Sequence, residues 1–346
     1  MIERNEMVMN SKERVNRTLN FEEVDKIPRQ LWFLPGVAMF RSKELNSIIE
    51  KYPNDIIGSV GIYRQGDKAK GELCKKGYYV DSWGSVFYVA EDGVIGEVKE
   101  PAIQDWEKLD SYQPPLEILD ENLVGEVNKY CEQNKDKFIV GGTDIRPFER
   151  MQFLRGTENL FIDIALDEEK LYKLRDMLHE FYIKELSIWM KTDVDAISFM
   201  DDWGSQTALL ISPESWRELF KPLYKEYCDI IHSHGKYVFF HSDGFIEDIY
   251  PDLIEIGINA VNSQLFCMDI EKLGQKYAGK IVFWGEVDRQ YLLPFGKQEE
   301  VRKGVRRVAK ALMPNGIKTG VIAQCEWGIN DPIENIQAVF DEWENV

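Results

Sequence analysis

Apolar and polar positions along the chain fall into two alternating rhythms from residue 137 onward. Short, nearly unbroken apolar runs are separated by longer stretches in which apolar residues recur every three or four positions. The runs are KFIVGGTD (137–144), DAISFMDD (195–202), KYVFFHSDG (236–244), NAVNSQ (259–264), KIVFWGEVD (280–288) and GVIAQCE (320–326). Each is rich in β-branched and aromatic residues and closes in polar ones, which is how strands buried on both faces of a parallel sheet read. The intervening segments, among them 213–234 and 297–313, carry the helical period. Two earlier runs, IPRQLWF (27–33) and DIIGSVGI (55–62), bring the predicted strands to eight. Eight strands joined by helices predict an α/β fold of the (β/α)8 barrel type, as a single domain over 1–346. An open, doubly wound sheet is the rival arrangement, but no GxGxxG or phosphate-binding loop follows any of the runs. Residues 79–100 look different. Strand-like residues flank Glu91-Asp92-Gly93, which predicts a β-hairpin inserted after the second strand.

No linker, low-complexity stretch or internal repeat divides the sequence. A formal charge of −18 argues against generic nucleic-acid binding and against adhesion to an anionic membrane. The five cysteines (Cys74, Cys131, Cys228, Cys267, Cys325) are odd in number and form no CxxC pair, so a disulfide framework is not expected. The start of the chain, MIERNEMVMNSKERVNRTLN, is polar, and no apolar run is long enough to span a bilayer. These features predict a cytoplasmic protein.

Catalytic groups of such barrels gather at the C-terminal ends of the strands. Those ends hold Trp32, Asp144, Asp201 with Asp202, His241 with Asp243, Asn262 with Gln264, Glu286 with Asp288, and Cys325 with Glu326. Strands must exit into polar loops, so some of these residues are structural. The mixture of one histidine, one cysteine and several carboxylates on one rim is the informative part. His241 follows the apolar Val238-Phe239-Phe240 and opens the turn His-Ser-Asp-Gly, where a ligand or an acid–base group is expected rather than a core histidine. An imidazole, the Cys325 thiolate and one carboxylate would make three zinc ligands and leave a fourth position open. The carboxylate stays open between Asp243 and Glu286. Adjacent strand residues face opposite ways, so at most one of Asp201 and Asp202 points to the barrel axis.

The same residues carry a family resemblance. KYVFFHSDGFIEDIYPDLIEIGINAVNSQ and FWGEVDRQYLLPFGKQEEVRKGVRR resemble the C-terminal half of proteins of the uroporphyrinogen decarboxylase superfamily. SKERVNRTLNFEEVDKIP is similar to that superfamily's opening helix, and DAISFMDDWGSQTALLISPESWRELFKPLYKEY to its middle section. The resemblance implies a distorted (β/α)8 barrel with its cleft at the strand C-termini. The decarboxylases carry an arginine-rich signature, MRQAGR, that binds substrate carboxylates. Here the corresponding stretch, Pro28 to Gly36, reads PRQLWFLPG and lacks the Ala-Gly-Arg, which argues against that activity. The methyltransferase branch binds zinc through a His-x-Cys pair and a distant cysteine. This chain matches at His241 and Cys325 and departs at Asp243, which stands where that branch has cysteine.

The resemblance therefore implies a zinc-dependent methyltransferase acting between a small substrate, such as a methoxylated compound or a methylamine-like donor, and a corrinoid protein. Asp201, Asp202 and Glu286 would be its catalytic carboxylates, and Trp32, Asp144, Trp203, Gln264 and Glu326 would line its pocket. A harder N/O/S ligand set suits an oxygen or nitrogen substrate better than a thiol. A homodimer is expected because the superfamily's decarboxylases often form one. Two readings compete: a metal-free decarboxylase or other lyase working through the carboxylates, and a catalytically silent barrel.

Overall fold

The structure is a computed structural model describing residues 8–346. The first seven residues of the expected domain and of its polar start lie outside the described residues. Eleven strands follow in chain order: β1 (Arg29–Phe33), β2 (Ile56–Gly58), β3 (Gly77–Val80), β4 (Val86–Val89), β5 (Glu97–Glu100), β6 (Phe138–Gly142), β7 (Ala196–Met200), β8 (Tyr237–Ser242), β9 (Ala260–Ser263), β10 (Val282–Trp284) and β11 (Val321–Trp327). Eight of them form one sheet in the order β1-β11-β10-β9-β8-β7-β6-β2. Every pair in it is parallel, and each of the eight apolar runs forms one of its strands, β11 extending one residue past its run. With helices around this nearly closed sheet, the fold is a (β/α)8 barrel.

Two apolar layers result from side chains alternating across the strands. Phe138, Val140, Ala196, Phe239, Ala260, Val282, Trp284 and Ile322 point inward and pack with Val15 and Leu19. The latter two belong to the helix Ser11–Leu19, which thereby caps one end of the barrel. Ile139, Ile197, Phe199, Val238, Phe240, Val261, Phe283, Val321 and Ala323 point outward into the larger core under the helices. The helix face at Arg14 is tied to the barrel by buried charge: its guanidinium reaches Asp55 at 2.6 Å and Asp25 at 2.7 Å.

The joint between β1 and β2 carries no strand pairing. Side chains bridge it instead. Leu31 N donates to Asn54 Oδ1 at 2.8 Å, and Arg29 N donates to Asp55 Oδ2 at 3.0 Å. One backbone bond, Asp55 N to Arg29 O at 2.9 Å, completes the joint.

Two expectations are corrected. The insert at 79–100 is a three-stranded antiparallel sheet, β3-β4-β5, not a hairpin. Glu91-Asp92-Gly93 does turn between β4 and β5, but Asp81-Ser82-Trp83-Gly84 makes a second turn, held by Ser85 N donating to Asp81 Oδ1 at 2.8 Å. The segment 213–234 is two helices, Pro213–Leu219 and Lys221–Ser233, parted at Phe220, because Pro222 has no N–H to continue the first one.

The segment after β2 and the end of β6 meet over Glu185, a fully buried carboxyl on the helix Glu169–Trp189. It accepts from Asp144 N at 2.6 Å and from the Tyr63 hydroxyl. Burial, with the Asp144 charge second, raises it to about 8, against the pull of those two donors. A carboxyl raised on folding holds its proton longer in the native state. Its contribution to stability is complete below the unfolded value near 4.5 and is lost as pH rises toward 8. Glu185→Gln keeps an acceptor and has no proton to lose. Relative to the parent, its thermal midpoint is expected to gain a few degrees between pH 5 and pH 8, measured by calorimetry. A parallel response of the two proteins to pH would contradict the assignment.

Candidate functional site

At the C-terminal ends of β7 and β8 the alternation sends Asp202, His241 and Asp243 toward the axis. Among the described residues, these three form the one group of His, Cys, Asp or Glu whose ligand atoms lie within 4.8 Å of one another. His241 Nε2 is 3.6 Å from Asp202 Oδ1 and 3.5 Å from Asp243 Oδ1. Register explains the imidazole's neighbour, since His241 pairs with Asn262 across β8 and β9. His241 Nδ1 lies 2.6 Å from Asn262 Oδ1. The Asn262 amide nitrogen donates to Trp284 O, which fixes its oxygen toward the histidine. An amide oxygen only accepts, so Nδ1 carries a proton, and Nε2 is the ring nitrogen turned toward the two carboxylates.

Asp243 divides its oxygens. Oδ2 takes an ion pair from Arg289, while Oδ1 is buried and has no hydrogen-bond partner. Arg289 also pairs with Glu326. Burial works against charge on Arg289, but Glu286, Asp243 and Glu326 outweigh it and hold the guanidinium more firmly protonated than usual. Trp32, half-buried at the end of β1, closes one side, its ring centroid 5.5 Å from that of His241.

The two loops carrying the aspartates touch backbone to backbone. Gly204 N donates to Asp243 O at 3.0 Å, and Asp243 N donates to Asp202 Oδ1 at 2.9 Å. A Cβ on Gly244, whose φ is +78°, would lie 2.2 Å from Gly204 O. No other residue type fits there without moving the loops apart.

Several expected residues stand elsewhere. Cys325 is fully buried on the helix-facing side of β11, among Val321, Ala323 and Trp327. Gln324 and Glu326 alternate with it, and Glu326 joins Arg289 inside. Cys325 is not brought to His241, and burial, with Asp331 second, raises its thiol well above the usual range. The expected zinc thiolate is corrected on that ground. Asp201 also faces outward. It accepts from Phe148 N at 2.8 Å, Glu149 N at 2.7 Å and the Tyr224 hydroxyl at 2.5 Å, so it caps the helix Pro147–Arg155. Trp203 is buried in the helix layer, stacked on Phe148 at 4.2 Å. Gln264 supports the His241 loop by accepting from Gly244 N at 3.1 Å. Glu286 is buried beside Arg289, outside the three-residue group, and burial raises it well above the ordinary carboxyl range. Asp144 holds Arg150 at 3.0 Å and Trp83 Nε1 at 3.0 Å at the edge of a separate cleft.

Glu149 escaped the strand-end reading because it lies on a helix. Its Oε2 is buried without a hydrogen bond, and burial, then the Asp202 charge, raises its carboxyl above the usual value. Arg289 escaped as well, although it directly follows the polar end of β10. The first helical turn after a barrel strand also faces the mouth, which is the signal that would have found Glu149.

Residues 82–346 match the family model for uroporphyrinogen decarboxylase (URO-D). The chain belongs to that family. Among solved structures it is similar in fold to a methyltransferase from Methanosarcina mazei, with 16% identity, a TM-score of 0.71, and coverage of 98% of this chain and 99% of that one. A GH113 β-1,4-mannanase matches at 9% identity and a TM-score of 0.42 over 92% of this chain and 99% of that one. No curated protein sequence matches. Among the described residues, no helix is long and apolar enough to cross a membrane.

Two substitutions separate scaffold from site. Asp201→Ala strands three buried donors and is expected to cost about 3 kcal/mol or more in chemical denaturation, since each unpaired buried group costs roughly 1–3 kcal/mol. Gly244→Ala is expected to disturb the Asp202–Asp243 approach, seen as shifted His241 and Trp32 side-chain resonances. Unchanged resonances in Gly244→Ala, or wild-type stability in Asp201→Ala, would contradict these roles.

Proposed function

We propose that the protein is a zinc-dependent methyltransferase, moving a methyl group between a small substrate and a corrinoid carried by a separate protein. The observation that carries this reading is the unpartnered, buried Asp243 Oδ1 at 3.5 Å from the free Nε2 of His241, with Asp202 alongside. A neutral imidazole with a carboxylate on either side is a fitting donor set for zinc, leaving room for a substrate atom. The Asn262 hydrogen bond behind the histidine is the outer-shell partner such ligands require. Membership of the uroporphyrinogen decarboxylase family, and likeness in fold to a protein named as a methyltransferase, support the same reading.

Zinc held by His241, Asp243 and Asp202 would supply Lewis acidity toward the heteroatom that bears the methyl group. The chain's own residues do the rest. Asn262 holds the imidazole in one tautomer. Arg289 fixes Asp243 by one oxygen and so aims the other at the histidine. Trp32 keeps water from one side of the group. We assign Glu149, through Oε2, a hydrogen bond to the substrate's heteroatom. An N/O/O donor set is harder than one with thiolates, which favours substrates that present oxygen or nitrogen over thiols.

Protein purified without chelator is expected to hold about one zinc ion per chain by mass spectrometry of the metal. His241→Ala and Asp243→Asn should lose it, Asp202→Asn should hold it more weakly, and Cys325→Ser and Glu286→Gln should retain it. Zinc-loaded protein given methylcobalamin with phenol, amine and thiol acceptors should demethylate the corrin with the first two, followed by visible spectrum. No zinc after reconstitution, or retention by His241→Ala, would overturn the reading and leave the mouth carboxylates to carry metal-free chemistry.

A further inference from the structure

A cleft of about 640 Å³, separate from the His241 group, lies between the three-stranded insert and the C-terminal end of β6. Its volume suits a small organic ligand. Tyr63, Tyr79, Trp83, Phe87 and Phe153 supply aromatic walls. Two arginines from the segment after β6 also face it, and they differ in one respect. Arg150 is engaged through both terminal nitrogens: it pairs with Asp81 at 2.8 Å and Asp144 at 3.0 Å, and lies over the Trp83 ring at 4.7 Å, so that only its Nε lacks a partner.

Arg146 is not engaged. Its closest opposite charge is Glu149 Oε2, 3.9 Å from Nη1, beyond hydrogen-bond range. Its Nε is buried with no partner, and the side chain as a whole is only 26% exposed. A guanidinium offers five donors in a planar fork that matches a carboxylate, and burying it without acceptors is costly. The amides at the start of the helix Pro147–Arg155 cannot share an anion with it, because Asp201 already takes those of Phe148 and Glu149. Along the chain, Arg146 sits between the aromatic cleft and Glu149, which borders Asp202 and His241.

We infer that Arg146 is the anchor for a substrate carboxylate, and that the substrate is an aromatic acid lying in this cleft. The acid's ring stacks among the aromatic walls and its carboxylate meets the Arg146 fork. The end bearing the reacting group extends past Glu149 toward His241. Phenols and amines that also bear a carboxylate suit this cleft, whereas an amine with no acid group is disfavoured by the same guanidinium. This role as a substrate anchor rests on the methyl-transfer reading, whereas the binding of an aromatic anion at Arg146 does not.

Titration calorimetry with 2-naphthoate, and with 2-naphthylmethylammonium as the cation of matching shape, tests the inference on the full chain. The parent is expected to bind the acid and not the amine. Arg146→Gln should weaken the acid by roughly tenfold or more, the worth of one charge-assisted hydrogen bond, and Arg146→Lys should recover part of the loss. Arg146 makes no side-chain hydrogen bond within the protein, so both variants should keep the parent's thermal midpoint. His241→Ala should bind naphthoate as the parent does, whether or not zinc is present. A failed zinc measurement and a failed anchor therefore give different results. Naphthoate binding within about twofold of the parent in Arg146→Gln, equal binding of the amine, or no binding of the acid by the parent would overturn the inference.

Discussion

Along a strand of a parallel barrel every side chain must face either the axis or the helices, and its neighbour takes the other side. The rest of this structure depends on that division. On β8 it turns Phe239 into the barrel filling and Phe240 into the helix layer, then carries His241 inward at the strand's penultimate residue and Asp243 just past its end. On β7 the same count sends Asp202 to the axis and Asp201 to a helix cap. On β11 it gives Glu326 to the mouth and Cys325 to the outer core. Two neighbouring acids in the sequence thus have unrelated work, and a cysteine one residue from the mouth is chemically remote from it.

The mouth concentrates acidic groups, and its electrostatics follow from how few cations answer them. Asp202, Asp243, Glu149, Glu286 and Glu326 converge on one histidine and Arg289, with Arg146 beside Glu149. Arg289 answers two carboxylates directly, Asp243 and Glu326. Burial keeps Glu286 and Glu149 from ionising as readily as surface carboxyls would. What remains is a narrow region where the imidazole Nε2 and an unshared carboxylate oxygen point at the same space. Donor type and the sign of the surrounding field are those that the proposed zinc would require.

The eight barrel strands were legible from apolar runs because strands covered on both faces must be continuously apolar. The three-stranded insert was half legible: Glu91-Asp92-Gly93 announced one turn, while Asp81-Ser82-Trp83-Gly84 was masked by a tryptophan that goes to the core and bonds Asp144. His241, Asp243 and Trp32 could be picked out because they end strands. Which of Asp201 and Asp202 faces inward could not, since a register slip of one residue inverts the answer. Cys325 failed for the same reason. Glu149 and Arg289 lay beyond a strand-end search because their places come from a helix turn and a loop, whose direction only packing decides.

The joint between β1 and β2 gives the barrel a mechanical character of its own. Seven joints are sewn by parallel backbone ladders, and the eighth is buttoned by Asn54 and Asp55 with a single backbone bond. A cleft of about 660 Å³ runs along it, reaching Trp32, Ser198 and Trp284 inside. The barrel is in effect a split ring. Its circumference is held at that one joint by two side chains and one backbone bond instead of a ladder, which makes this seam the least constrained stretch of the ring.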